Sequence, residues 1–165
     1  MNAPEQWVPS NAAGHDAIAS LTLPSRPQIL PEKPALPTGL AILRRSRFTV
    51  TANGSASIQA RNVVRSVLAL MVGSDAAAER TVRRVENCLT ELVAIAYTRT
   101  HSADMLCEVW MDSSHLFISV EHDEALPDRH DETTVGLNVV KTIADDYGTH
   151  ITGTTHQTWA AIRRA

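Results

Sequence analysis

Apolar positions recur along the chain with two different periods, and the switches between them mark out the elements. Over residues 76–98, Val82, Val85, Leu89, Leu92, Val93 and Ala96 return at spacings of three and four, which predicts a long helix with one buried face. A shorter helix is predicted before it, capped by Ser55 or Ser57 after the Asn53-Gly54 turn, with Ile58, Val63, Val67, Leu68 and Met71 toward the core. Gly73-Ser74-Asp75 ends that helix and starts the next. Residues 105–111 and 116–121 alternate with period two around Asp112-Ser113-Ser114-His115, so they predict a hairpin with a four-residue connection.

The flanks complete the pattern. Residues 40–50 are apolar and β-prone, ending in Phe48-Thr49-Val50, and predict a first strand. After a polar stretch over 122–134, residues 135–147 read as a helix stopped by Gly148 at a C-terminal glycine position. Residues 149–154 and 157–163 then read as a closing hairpin. The order is strand, helix, helix, two strands, loop, helix, two strands. It predicts a two-layer α/β sandwich, a mixed and mainly antiparallel sheet with helices on one face.

Proline divides the chain. Seven of the eight prolines precede residue 40, as in Leu30-Pro31-Glu32-Lys33-Pro34-Ala35-Leu36-Pro37, where missing N–H groups and a fixed φ oppose helix and sheet alike. Residues 1–40 are therefore expected to form a disordered arm and residues 41–165 the domain. Trp7, the one large aromatic in the arm, reads either as a partner anchor or as a plain tail residue.

Composition narrows the function classes. A chain of 165 residues suits one well-cored domain, and with aromatics at only 4% the core must come mainly from Val, Leu, Ile and Ala. A formal net charge of −3 carries no electrostatic footprint for a nucleic-acid backbone, which argues against direct DNA binding. Cys88 and Cys107 are too far apart for a metal or redox motif and read as small core residues, a disulfide or reactive thiol being the other readings. No stretch reaches the roughly 18 to 20 apolar residues of a bilayer span, and no basic-then-apolar leader opens the chain, so a cytoplasmic protein is expected. His122, Asp123, Glu124, Asp128, His130, Asp131 and Glu132 include metal-ligand types, but without a defined spacing they read as an acidic solvated loop. His101, His115, His150 and His156 are scattered and receive no role.

Six segments in order resemble the bacterial anti-sigma serine kinases and their small regulatory relatives, within the histidine-kinase-like (GHKL) ATPase superfamily. Residues 57–65, Ser-Ile-Gln-Ala-Arg-Asn-Val-Val-Arg, resemble the family's first helix. Glu91-Leu92-Val93-Ala94-Ile95-Ala96 resembles its E-L-V-x-N-A box, and Leu116-Phe117-Ile118-Ser119-Val120 the strand leading to its aspartate box. Thr134-Val135-Gly136-Leu137 resembles G-x-G-L, Ile143-Ala144-Asp145-Asp146-Tyr147-Gly148 the segment after it, and Thr158-Trp159-Ala160-Ala161-Ile162 the last strand. The likeness covers residues 45–163.

The resemblance implies a Bergerat-type ATPase fold, Mg-ATP as cofactor, transfer of phosphate to a serine of an antagonist, and a separate grip on a sigma factor. It also implies homodimerisation through the sheet or first helix. It places Glu91, Ile95, His122, Asp123, Gly136, Leu137 and Thr158 at the nucleotide site, with Glu91 as the catalytic base. Three positions depart from the pattern. Ile95 stands where an asparagine oxygen holds Mg²⁺, and a hydrocarbon offers that cation nothing. His122, or Asp123 after a one-residue slip, stands where an aspartate reads adenine. Thr134 replaces the first glycine of the phosphate loop, leaving Gly136 to bring backbone amides to phosphate at a helix N-terminus. At about 1 to 3 kcal/mol each, the three changes weaken nucleotide binding by about a thousandfold or more. The expected function is thus a transcriptional regulator acting by protein binding, with an active kinase as the alternative. Read without the resemblance, Glu91 is a solvated helix residue and Ile95 is core.

Overall fold

A computed structural model describes residues 43–126 and 132–164. The arm expected over 1–40, with Trp7, lies outside the described residues, as do the loop positions Asp128, His130 and Asp131. Five strands, β1 (Arg44–Thr51), β2 (Asp104–Met111), β3 (His115–His122), β4 (Asp146–Thr152) and β5 (Thr155–Arg163), form one sheet in the order β1-β2-β3-β5-β4. Every neighbouring pair runs antiparallel. Helices α1 (Ala56–Met71), α2 (Ala76–Tyr97) and α3 (Glu132–Ile143) supply the second layer. The α/β sandwich is the one the element order predicts.

Local chemistry explains most boundaries. Asp75 caps α2, its carboxylate accepting from the Ala78 N–H at 2.7 Å. At α1, Ser55 makes no side-chain cap; instead the Asn53 carboxamide oxygen accepts from the Ser55 N–H at 2.8 Å and its hydroxyl at 2.7 Å. The β2–β3 connection has three residues rather than four, because His115 already belongs to β3. Asp112 Oδ1 holds it by accepting from the backbone N–H groups of Ser114 and His115, both at 2.7 Å.

Two expectations about helices are corrected. The buried stripe of α1 is Ala56, Ala60, Val64, Leu68 and Met71, while Ile58 faces solvent. Small alanines at spacing four carry the contact, and their weak hydrophobic signal hides the stripe in the sequence. The last helix ends at Ile143, not at Tyr147. After Ala144 donates to the Val140 carbonyl, the Asp145 N–H turns to the Ala161 carbonyl at 2.9 Å, so sheet pairing takes over the chain. Gly148 is consequently a β4 residue opposite Trp159, not a helix stop.

The core lies between the layers. Val85, Leu89 and Leu92 of α2 meet Val109, Ile118, Val120 and Ile162 from the sheet. Cys88 and Cys107 are buried in that core as free thiols, as their reading as core residues requires. Burial pushes both thiols up to about 12. At pH 8 a thiol reagent should therefore label neither in the folded protein and both in denaturant, as read by absorbance. Rapid labelling without denaturant would contradict the packing. The sheet's other face carries a second cluster, Trp110, Phe117, Trp159 and Ala161. Beside it the buried Glu108 carboxylate takes hydrogen bonds from Arg45 and, at 2.7 Å, from Arg47. Among the described residues no helix is long and apolar enough to cross a membrane.

Candidate functional site

The residues implicated by sequence fall into two groups, one where α2 meets α3 and one at the ends of β3 and β5. Glu91 and Ile95 are four apart on α2, so they share a face. That face meets Gly136 of α3. A Cβ on Gly136 would stand 3.0 Å from Glu91 Oε2 and 3.3 Å from Ile95 Cδ1 and Cγ1. The glycine thus lets two helices touch. At the other end of the contact, Arg84 Nη2 of α2 donates to the Ile143 carbonyl at 2.7 Å and to Asp145 Oδ2 at 3.0 Å. Contacts 95 to 136 and 84 to 143 run in opposite directions, so α3 lies antiparallel along α2. Leu137 and Val140 are buried beneath it.

This packing changes the role of Gly136. α3 begins at Glu132, which makes Gly136 its fifth residue. Only about the first four N–H groups of a helix are free for a ligand. The Gly136 amide is therefore inside the helical ladder and is not presented to phosphate. Thr134, the third residue of α3, is likewise within the helix rather than in a loop before it. Among the described side chains, the donor set at the crossing is a single carboxylate, Glu91, against the hydrocarbon of Ile95, which is 3% exposed. Mg-ATP, the cofactor implied by the resemblance, does not fit these residues. Octahedral oxygen coordination has one described side chain to draw on, and the space beside it is taken by the helix contact.

The second group is also committed internally. His122 ends β3 on the helix-covered face and is buried. Its Nδ1 lies 2.7 Å from the Glu124 carbonyl, which can only accept, so Nδ1 carries the proton. Its Nε2, 2.8 Å from Thr158 Oγ1, then accepts from the threonine hydroxyl. Desolvation, aided by the neighbouring His156 ring stacked 5.7 Å away, lowers His122 to about 4, against the pull of the Glu124 carbonyl. Both ring nitrogens of this neutral imidazole are occupied, leaving no acceptor for an adenine amino group. Its burial also corrects its assignment to a solvated acidic loop.

Asp123 points elsewhere. Its Oδ2 accepts from the backbone N–H groups of His101 at 2.6 Å and Ser102 at 3.2 Å, which hold its carboxyl below the ordinary range. The N–H groups of Asp123 and Glu124 both donate to the Arg99 carbonyl at 3.0 Å, and His101 Nε2 pairs with Glu124 at 2.6 Å. The start of the acidic stretch is thus a clamp on the α2–β2 connection. A cleft of about 210 Å³ opens there, lined by Thr49, Ser102, Met105, Glu121, His122 and Asp123 among others. It is smaller than the ~300 to 1,000 Å³ usual for small-molecule sites, and its lining includes neither Glu91 nor Gly136. Among the described residues no group of His, Cys, Asp and Glu could hold a metal ion.

Sequence reading missed the polar contacts that fix these helices. Glu86, buried in α2, takes a two-point hydrogen bond from Arg65 of α1 at 2.7 and 3.0 Å. Asp145 Oδ2 accepts from the Arg163 N–H at 2.6 Å as well as from Arg84, tying the exit of α3 to β5 and α2. A usable signal existed for Glu86, a carboxylate one residue from Val85 on the apolar side of α2. None existed for Asp145, whose partners are 18 and 61 residues away.

No protein-family model matches the sequence, and no curated protein is significantly similar to it. Among solved structures, the chain is similar to the RsbU and RsbW domains of Rv1364c from Mycobacterium tuberculosis, with 14% identity and a TM-score of 0.56. The match covers 73% of this chain and 32% of that one, so this chain spans about a third of its structural neighbour. The likeness carries the fold alone, the two-layer α/β sandwich that the element order implies.

Proposed function

We propose that this domain is a regulator that works by binding another protein, a GHKL scaffold kept as a rigid body without a working nucleotide site. One observation carries the reading. At the implied phosphate and metal position α3 packs directly on α2, with Gly136 against Ile95 and Glu91. A fold similar to a structure containing an RsbW domain, an anti-sigma factor serine kinase type, supports a partner from the same circuit. The partner class is a sigma factor or its antagonist, and the setting transcriptional control in the cytoplasm, without direct contact to nucleic acid or membrane. Homodimerisation belongs to the same reading.

Calorimetric titration of ATP, with and without Mg²⁺, tests it on the wild type and on Ile95→Asn. Neither protein is expected to bind. The substitution puts a carboxamide in a buried apolar contact and should lower stability by about 3 kcal/mol, which a denaturant titration checks before the calorimetry. Mg-dependent binding gained by Ile95→Asn would mean a pocket still open behind a decayed ligand set. Tight Mg-ATP binding by the wild type, or transfer of labelled phosphate from it to a cognate antagonist, would replace this reading with an active serine kinase using Glu91 as base.

A further inference from the structure

α3 is a helix against the preference of its own sequence. Of the nine residues from Val135 to Ile143, five are β-branched, namely Val135, Val139, Val140, Thr142 and Ile143, and two more are Gly136 and Asn138. Only Leu137 and Lys141 are strong helix formers. β-branched side chains lose χ1 freedom against the preceding turn, and glycine loses the most backbone entropy, so the segment suits a strand better than a helix. α2 is the contrast, with 13 of its 22 residues Ala, Leu, Glu or Arg. The helical state of α3 must therefore come from what it touches. Those contacts are few. α3 rests on α2 with a small contact to β4, and from Val135 to Ile143 only Gly136, Leu137 and Val140 are buried. Val135 is 68% exposed and adds nothing to the packing. At the C-terminal end the Arg84–Asp145 pair is 39% and 40% exposed, so water competes for it. The chain is pinned on both flanks, by the N–H groups of Asp123 and Glu124 on the Arg99 carbonyl and by that of Asp145 on the Ala161 carbonyl. A helix so disfavoured and so thinly attached can leave without disturbing the strands.

We propose that α3 is a releasable helix, a unit that unlocks from α2 while α1, α2 and the sheet stay folded as one body. Release uncovers a stripe of α2, Arg84, Cys88, Glu91 and Ile95, which spacings of four, three and four put on one face. Cys88 lies under the contact: the charges of Arg84, Glu91 and Asp145 all act on its thiol, and it is fully buried. A local preference that contradicts the fold marks α3 as the element with two states, since the rest of the helical layer agrees with its sequence. For a domain that binds another protein, release would give the partner a second face of α2 to read. That use rests on the protein-binding reading above, and the release itself does not.

The two native thiols report it. The folded state reacts with neither, so labelling in buffer proceeds through opened states alone. Release of α3 uncovers Cys88, whereas Cys107 of β2 waits for the sheet to unfold. The full-length chain is held in excess thiol reagent at pH 8 without denaturant, and mass spectrometry follows each cysteine over hours. With each rate divided by its value in denaturant, Cys88 should react at least about tenfold faster than Cys107. Ile118→Val, which loosens the sheet core, should speed Cys107 and leave Cys88 unchanged. Val135→Ala, Asn138→Ala and Thr142→Ala together, all at exposed positions, raise the helix propensity of α3 and should slow Cys88 by about tenfold. Equal rates at the two cysteines, or equal acceleration of both by Ile118→Val, would overturn the proposal, because α3 would then leave only with the whole fold. Unchanged Cys88 labelling in the triple variant would overturn it too, by placing the opening outside α3. No partner enters the measurement, so its failure leaves the protein-binding reading standing, and failure of that reading leaves the release standing.

Discussion

Lowering the pH from 7 to 5 should remove about 2 kcal/mol of folding stability through His122 alone, before most carboxylates titrate. The folded protein holds this imidazole neutral, at about 4 against an ordinary 6.5, chiefly because it is buried. The unfolded chain takes up the proton first as pH falls. Stability from His122 is therefore complete above about 6.5, falls through the interval below it, and is exhausted near 4. The hydrogen bonds set the same direction. Protonation at Nε2 removes the lone pair that accepts from Thr158 and turns a donor toward that hydroxyl in a closed site. Urea unfolding at pH 7, 6 and 5 measures the loss. His122→Gln is the comparison, since a carboxamide can donate to the Glu124 carbonyl and accept from Thr158 without titrating. Its stability should change much less over the same range, and an equal loss in both proteins would remove His122 as the cause.

How much of this was legible in the sequence varies with the distance over which each feature is decided. α2 was legible because its period and its Asp75 cap are both local. The β2–β3 hairpin was legible for the same reason, since alternation and a short polar turn need no distant partner. The contact of Glu91 and Ile95 with α3 was half legible: spacing four put them on one face, and the motif order pointed to Gly136. The sequence placed Gly136 second in its helix, where its amide would be free, and could not show the earlier start at Glu132 that puts this amide inside the helical ladder. The bond between His122 and Thr158 joins residues 36 apart across two strands, and no local pattern announces it. Reading His122 as an adenine acceptor assumed a free nitrogen, and the fold uses both. The hidden stripe of α1 failed for another reason: Ala56 and Ala60 do their packing by being small.

The misread glycine yields the sharpest test of the sheet. Gly148 is needed not for a turn but for the absence of a side chain. A Cβ there would stand 2.8 Å from Trp159 Nε1 and 2.9 Å from Cε2 and Cζ2. Those atoms cannot easily retreat, because Trp159 is 2% exposed and belongs to the buried cluster with Trp110, Phe117 and Ala161. Gly148→Ala should therefore destabilise by about 2 to 3 kcal/mol, near the upper end for overpacking by one methyl group. Strand propensity works the other way, since alanine loses less backbone entropy than glycine, so a measured loss must come from the ring. Trp159→Leu should cost about 3 kcal/mol by emptying the same space. Once the ring is gone the added methyl meets nothing, so the double variant should be about as stable as Trp159→Leu alone. Equilibrium unfolding of the four proteins gives the coupling, expected at about 2 kcal/mol. Additive losses would mean that Gly148 is required by its backbone, and the packing of β4 under the Trp159 indole would have to be redrawn.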